Sequence, residues 1–118
     1  MEKIWLNSYE DNIRAEIDVR RFTSIVDIFR QSCDKYGDKT AFYNMGKTLS
    51  YRETARLSAD FAAYLQQVLK LDRGARVAVM MPNVLQYPLA VFGILQAGMV
   101  VVNTNPLYTP RELEHQLN

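Results

Sequence analysis

A chain of 118 residues with 14 basic and 13 acidic side chains, for a net charge of +1, has no basic field of the kind that holds nucleic acid. Its 48% hydrophobic and 23% charged content excludes a disordered or fibrous chain, and its length limits it to one domain with a modest core. A single cysteine, Cys33, excludes an internal disulfide and suits a reducing cytoplasm.

Residues 1–22 scatter apolar side chains (Ile4, Trp5, Leu6, Tyr9, Ile13, Ile17, Val19) without a sustained period. This predicts an extended arm lying across the surface of a larger domain. Trp5 beside Lys3 is compatible with an interfacial membrane anchor, although an aromatic packing the arm down is the simpler reading. The first seven residues lack the apolar core of a secretory signal. The most apolar run, Tyr87 to Val102, is broken by Pro88, Gly93, Gln96 and Gly98. It is also shorter than the roughly 20 residues a helix needs to cross a bilayer.

Ser24 with Asp27 predicts the start of a helix over 25–36, and Gly37 its end. Ile25, Ile28, Phe29, Ser32, Cys33 and Tyr36 share one face of it. Thr40 to Asn44 reads as a short strand, Met45-Gly46-Lys47 as a turn and Thr48 to Ser50 as the return strand of a hairpin. Ser50 and Glu53 form a capping box for a helix reaching about Leu69 or Lys70, with Leu57, Phe61, Tyr64, Leu65 and Val68 as its apolar stripe. Arg56 and Asp60 form a solvated pair on the opposite side.

Leu71 to Gly74 breaks that helix, and Arg76 to Met81 forms a strand that is apolar on both faces from Val77 onward, as in a covered parallel sheet. Asn83 with Gln86 predicts the cap of a helix over 84–97, ended by Gly98, and Met99 to Asn103 returns as a second strand. The result is a βαβ unit with an expected right-handed crossover. Thr109, Pro110 and Glu112 supply the N-cap, first-turn proline and N3 acid of a final helix. The chain stops inside that helix without a stop signal, which predicts the front of a longer protein.

The phosphate-binding patterns of βαβ units are missing. Gly93 and Gly98 are five apart but have no Lys-Ser or Lys-Thr behind them, and Met81-Pro82-Asn83 lacks the G-x-G-x-x-G run. Ligands of open α/β sheets collect at the carboxyl ends of strands, where Pro82-Asn83 and Thr104-Asn105-Pro106 fall, but capping accounts for these residues more simply. His115 is the only histidine and has no second metal-ligating partner nearby; the acids around it suit a first helical turn. Met80-Met81 reads as core filling. Pro88, inside the predicted helix, should remove a ladder bond and kink the axis.

Met80-Met81-Pro82-Asn83, Gln86-Tyr87-Pro88, Phe92-Gly93-Ile94-Leu95, Ala97-Gly98 and Val101-Val102-Asn103 together resemble the adenylate-forming enzymes. Asn105-Pro106-Leu107-Tyr108-Thr109-Pro110-Arg111-Glu112-Leu113 narrows the resemblance to acyl-CoA synthetases, nearest to bacterial long-chain fatty-acid–CoA ligases. The chain follows their N-terminal portion from Trp5-Leu6-Asn7 to Asn118. The implied fold class is α/β: residues 1–118 as a truncated N-terminal portion of the large layered domain, with a parallel βαβ unit and a small hairpin.

The resemblance implies a parent enzyme that uses ATP, CoA and Mg²⁺ to turn a fatty acid into acyl-CoA through an acyl-adenylate. In that family the phosphate loop, metal-binding acid, adenosine pocket and catalytic lysine come from later segments. No catalytic, nucleotide-binding or metal residue is therefore expected here, and no activity or bound cofactor in residues 1–118 alone. The positions that match are scaffold: Pro82, Asn83, Gly98, Asn103, Pro106, Thr109 and Pro110. Some relatives dimerise through N-terminal parts, so a homodimer or domain-swapped pair is expected, with fatty acid and CoA as partners of the parent and no nucleic acid. The implied location is cytoplasmic, with peripheral contact at the inner face of the cell membrane compatible with a water-insoluble substrate. Two other readings remain open: a stand-alone oligomerisation module on the same scaffold, and a small independent nucleotide-binding domain.

Overall fold

The computed structural model describes residues 2–118. Met1, the first residue of the predicted arm, lies outside the described residues. From Glu2 to Ser24 the only regular element is a 3₁₀ turn, Ile4–Ser8, with the Lys3 ammonium donating to Glu16 at 2.8 Å. Ile17 and Val19 are almost fully exposed there.

Helix α1 spans Ile25–Tyr36, as its caps predict. The Asp27 N–H donates to Ser24 Oγ, while the Asp27 carboxylate reaches back one residue further than a standard box and accepts from Thr23. Strands β1 (Thr40–Asn44) and β2 (Lys47–Ser50) pair antiparallel around the two-residue turn Met45-Gly46. Both turn residues have positive φ, 47° and 78°, the geometry that matches strand twist. Lys47 thus belongs to β2 rather than to the turn.

Helix α2 (Tyr51–Ala63) begins at a complete Ser50–Glu53 capping box and continues as a π-helical segment, Tyr64–Val68. Its buried face departs from the predicted stripe. Thr54, Ser58, Ala62 and Leu65 are inside, whereas Tyr64 and Val68 are 46% and 63% exposed. Two causes combine. The wide π turn, in which the Leu69 N–H donates to the Tyr64 carbonyl, rotates the last residues off the stripe. Upstream, α2 crosses α3 so closely that small side chains fill the contact: a β-carbon on Gly93 would lie 2.9 Å from the Ser58 carbonyl oxygen.

Strands β3 (Arg76–Val79) and β4 (Val100–Asn103) pair in parallel, Val77 opposite Val101 and Val79 opposite Asn103, and α3 (Gln86–Gln96) connects them. Both strands and the helix are shorter than predicted. The Asn83–Gln86 cap does not form: α3 starts at Gln86 behind Leu85, with no side-chain cap. Pro88 therefore sits in the first turn, where its missing N–H would have had no helical partner, and the expected loss of a ladder bond does not occur.

The core lies between α2, α3 and one sheet face. Ile94 is fully buried, with Leu65, Val79 and Met99 at 2–4% exposure and Ala62, Ala90 and Ala97 around them. Phe29 stacks on Phe92 at 4.0 Å, fastening α1 to α3. The other sheet face is open, with Val100 46% and Met80 39% exposed. The described residues thus cover one side of a sheet type that is normally covered on both. Helix α4 (Pro110–Leu117) follows β4.

Candidate functional site

Parallel strands end together, so β3 and β4 bring the loops after Val79 and Asn103 to one edge. This carboxyl edge is where open α/β sheets collect ligands. The Thr104 N–H donates across to the Val79 carbonyl at 3.0 Å, and Thr104 is buried. Asn103 accepts twice: at Oδ1 from the Tyr87 hydroxyl (2.9 Å) and at its carbonyl oxygen from Gln116 Nε2 (3.0 Å). Asn44 Nδ2 donates to the Asn83 carbonyl at 2.9 Å, tying the hairpin to the loop after β3. Asn105 Oδ1 accepts from the Leu107 N–H, an Asx turn that aims the chain into α4.

At the start of α4 the Thr109 N–H and hydroxyl donate to the Glu112 carboxylate at 2.8 and 2.7 Å, and the Glu112 N–H donates back to Thr109 Oγ1. These bonds hold the Glu112 carboxyl below its ordinary value, the Thr109 N–H contributing most. Pro110 is at N1.

Of the positions singled out in the sequence, Pro82, Asn83 and Asn103 lie at the ends of β3 and β4, while Pro106, Thr109 and Pro110 lie in the loop and first turn that lead into α4. Gly98 is elsewhere: it precedes β4 at the opposite end, at φ +77°, with Arg73 lying against it. Sequence reading gives no contact role to Asn44, Tyr87 or Gln116, Tyr87 entering only with the Gln86-Tyr87-Pro88 resemblance and Thr104 only with the Thr104-Asn105-Pro106 strand end. Their partners lie 13 to 39 residues away or are main-chain atoms, and no spacing rule connects such positions.

Two clefts flank the edge. One, about 410 Å³, is apolar and runs between the hairpin and α3, lined by Phe42, Tyr87, Pro88, Val91 and Phe92. The other, about 820 Å³, is of mixed polarity and runs along α4 past Tyr108, Arg111, Glu112, His115 and Gln116. Among the described residues no three His, Cys, Asp or Glu side chains come together to hold a metal ion. The edge offers amides, prolines and a capped threonine, which shape backbone.

A family model for AMP-binding enzymes matches residues 29–118. The chain belongs to that family. Over all 118 residues this AMP-binding enzyme chain is 59% identical to the long-chain-fatty-acid–CoA ligase of Escherichia coli O157:H7. It is 40% identical over 116 residues, 98% of its length, to the ligase of that name from Bacillus subtilis strain 168. These matches occupy 21% and 20% of the two relatives, so the chain spans about a fifth of their length.

Among solved structures, the N-terminal subdomain of Klebsiella oxytoca NpsA with anthranilyl-AMSN superposes with a TM-score of 0.78. The match has 24% identity and covers 82% of this chain and 25% of that one. The anthranilate CoA ligase AuaEII with anthranoyl-AMP gives 0.74 at 24% identity, over 78% of this chain and 18% of that one. Both show a shared fold: the hairpin and parallel βαβ unit of the N-terminal part of an adenylation domain.

Proposed function

We propose that these 118 residues are the scaffold-forming N-terminal part of an ATP-dependent long-chain fatty-acid–CoA ligase. The observation that carries this reading is the 59% identity, along the whole chain, to an enzyme of that name. In the reaction a fatty-acid carboxylate oxygen bonds to the α-phosphorus of ATP and pyrophosphate leaves. The CoA sulfur, having lost its proton, then bonds to the acyl carbon as the bond to AMP breaks. A carboxylate donates its acyl group poorly until its oxygen becomes part of such a leaving group. Residues 1–118 contribute position: the capped α4, the Asn103 bonds and the Pro82-Asn83 turn hold the carboxyl edge against which the remaining segments assemble. Alone they are inactive, with residues 1–22 as the arm.

Two finer points belong to the same proposal. The outer edges of β3 and β4 are unpaired among the described residues, and unpaired edges template association, so the isolated chain forms a homodimer or domain-swapped pair. No helix among the described residues is long and apolar enough to cross a membrane, and the proposed location is cytoplasmic with peripheral contact at the inner face.

The test replaces the matched fifth of the Escherichia coli ligase with these 118 residues. The chimera, verified as folded by its thermal transition, should form acyl-CoA from a long-chain fatty acid, ATP and CoA, and the isolated chain should form none. A folded chimera that makes no acyl-CoA, or an isolated chain that does, overturns the proposal.

A further inference from the structure

Asn103 is the last residue of β4, and two helices meet on it. Tyr87, in the first turn of α3, donates its hydroxyl to the side-chain oxygen; Gln116, in the last turn of α4, donates its amide to the main-chain oxygen. Helix α4 has no fully buried residue of its own. Beyond its own cap, the Gln116 bond is its one side-chain hydrogen bond to another element among the described residues. The seat of α4 on the edge thus depends heavily on where the Asn103 carbonyl points.

That direction is set by the backbone at the strand end, and the Tyr87 bond restrains it by fixing the Asn103 side chain. The amide of Gln116 fits one way only. Its Oε1 is buried without a partner, and turning the amide over would set oxygen against oxygen. Tyr87 lines the apolar cleft beside the hairpin, and Gln116 lines the wider cleft along α4.

We propose that Tyr87 and Gln116 are positioning residues, joined through Asn103 into a relay that seats α4 and couples the two clefts across the carboxyl edge. Because the bonds act in series on one residue, breaking either releases the same helix. Breaking the second then adds nothing.

Amide hydrogen exchange on the 118-residue chain tests this with Tyr87→Phe, Gln116→Met and the double variant. Each single change should speed exchange at Leu113 to Gln116 about fivefold, the loss of one ordinary hydrogen bond, while Val77 and Ile94 stay protected as in the parent chain. The double variant should match the faster single one, since coupled sites are non-additive. Independent effects that multiply, a uniform rise including Val77 and Ile94, or no change at α4 would each overturn the relay. If Tyr87→Phe unfolds the chain, Asn103→Leu removes the acceptor of the Tyr87 bond and keeps the main-chain oxygen that Gln116 uses; it should also speed exchange at α4 about fivefold and add nothing to Gln116→Met, and an unchanged α4 or multiplying effects would overturn the relay.

Discussion

Gly93 lies where α2 and α3 cross. A β-carbon there would approach Phe61 Cδ1 to 2.8 Å and the Ser58 carbonyl oxygen to 2.9 Å. The phenyl ring can give way, but the main-chain oxygen moves only with its helix. Gly93→Ala should therefore destabilise the chain by about 1–3 kcal/mol, the usual effect of overpacking, despite alanine's better helix propensity. A lower urea midpoint at unchanged slope would show this. The carboxylates define a second residue-scale expectation. Asp27, Glu53 and Glu112 are held below their ordinary values chiefly by main-chain N–H donors, and Asp38 by the Arg52 guanidinium. A depressed folded-state pKa contributes stability at neutral pH that is lost as pH falls through it. Stability should hold from pH 7 to about 5 and fall below the ordinary values of 4.5 for Glu and 3.8 for Asp, with Glu53→Gln and Glu112→Gln each flattening that fall.

At the scale of elements, the helices that announce themselves are the ones with side-chain caps. Ser24, Ser50 and Thr109 each sit three residues before an acid, and α1, α2 and α4 begin where those pairs place them. Asn83 with Gln86 has the same appearance yet caps nothing, because the chain turns first: the Val84 N–H donates to the Pro82 carbonyl and α3 starts at Gln86. One sequence shows the spacing of a cap, whereas the competing turn depends on the hairpin to which Asn83 is tied. The buried face of α2 was hidden for a related reason. Thr54 and Ser58 are polar, and only the close approach of α3 makes them interior residues. The edge network was illegible as well, since Tyr87, Asn103 and Gln116 meet only after three elements pack. Urea unfolding of two variants would separate a working cap from an apparent one. Ser50→Ala should cost about 1 kcal/mol, whereas Asn83→Ala, which leaves the main-chain acceptor intact, should change little.

At the scale of the whole molecule, composition and strand pattern announced a parallel α/β unit, but the cover for its second face has no counterpart in the described residues. Val77, Val79 and Val101 face the core, while Ala78, Met80 and Val100 face outward on strands whose outer edges are unpaired. The AMP-binding relatives are about five times longer than the matched segment, which supplies ample chain to complete such a sheet. In isolation the same face and edges have one another as partners, and burying apolar area at about 25 cal/mol per Å² favours pairing once two copies meet. Sedimentation velocity of the 118-residue chain should show a dimer that forms with rising concentration. Val100→Lys should return it to monomer without altering its circular dichroism, because the charge enters the contact but not the core. Ile17→Lys, placed on the arm and away from the sheet, separates the modes of association. If it abolishes the dimer and Val100→Lys does not, the arm exchanges between copies and the sheet does not join them.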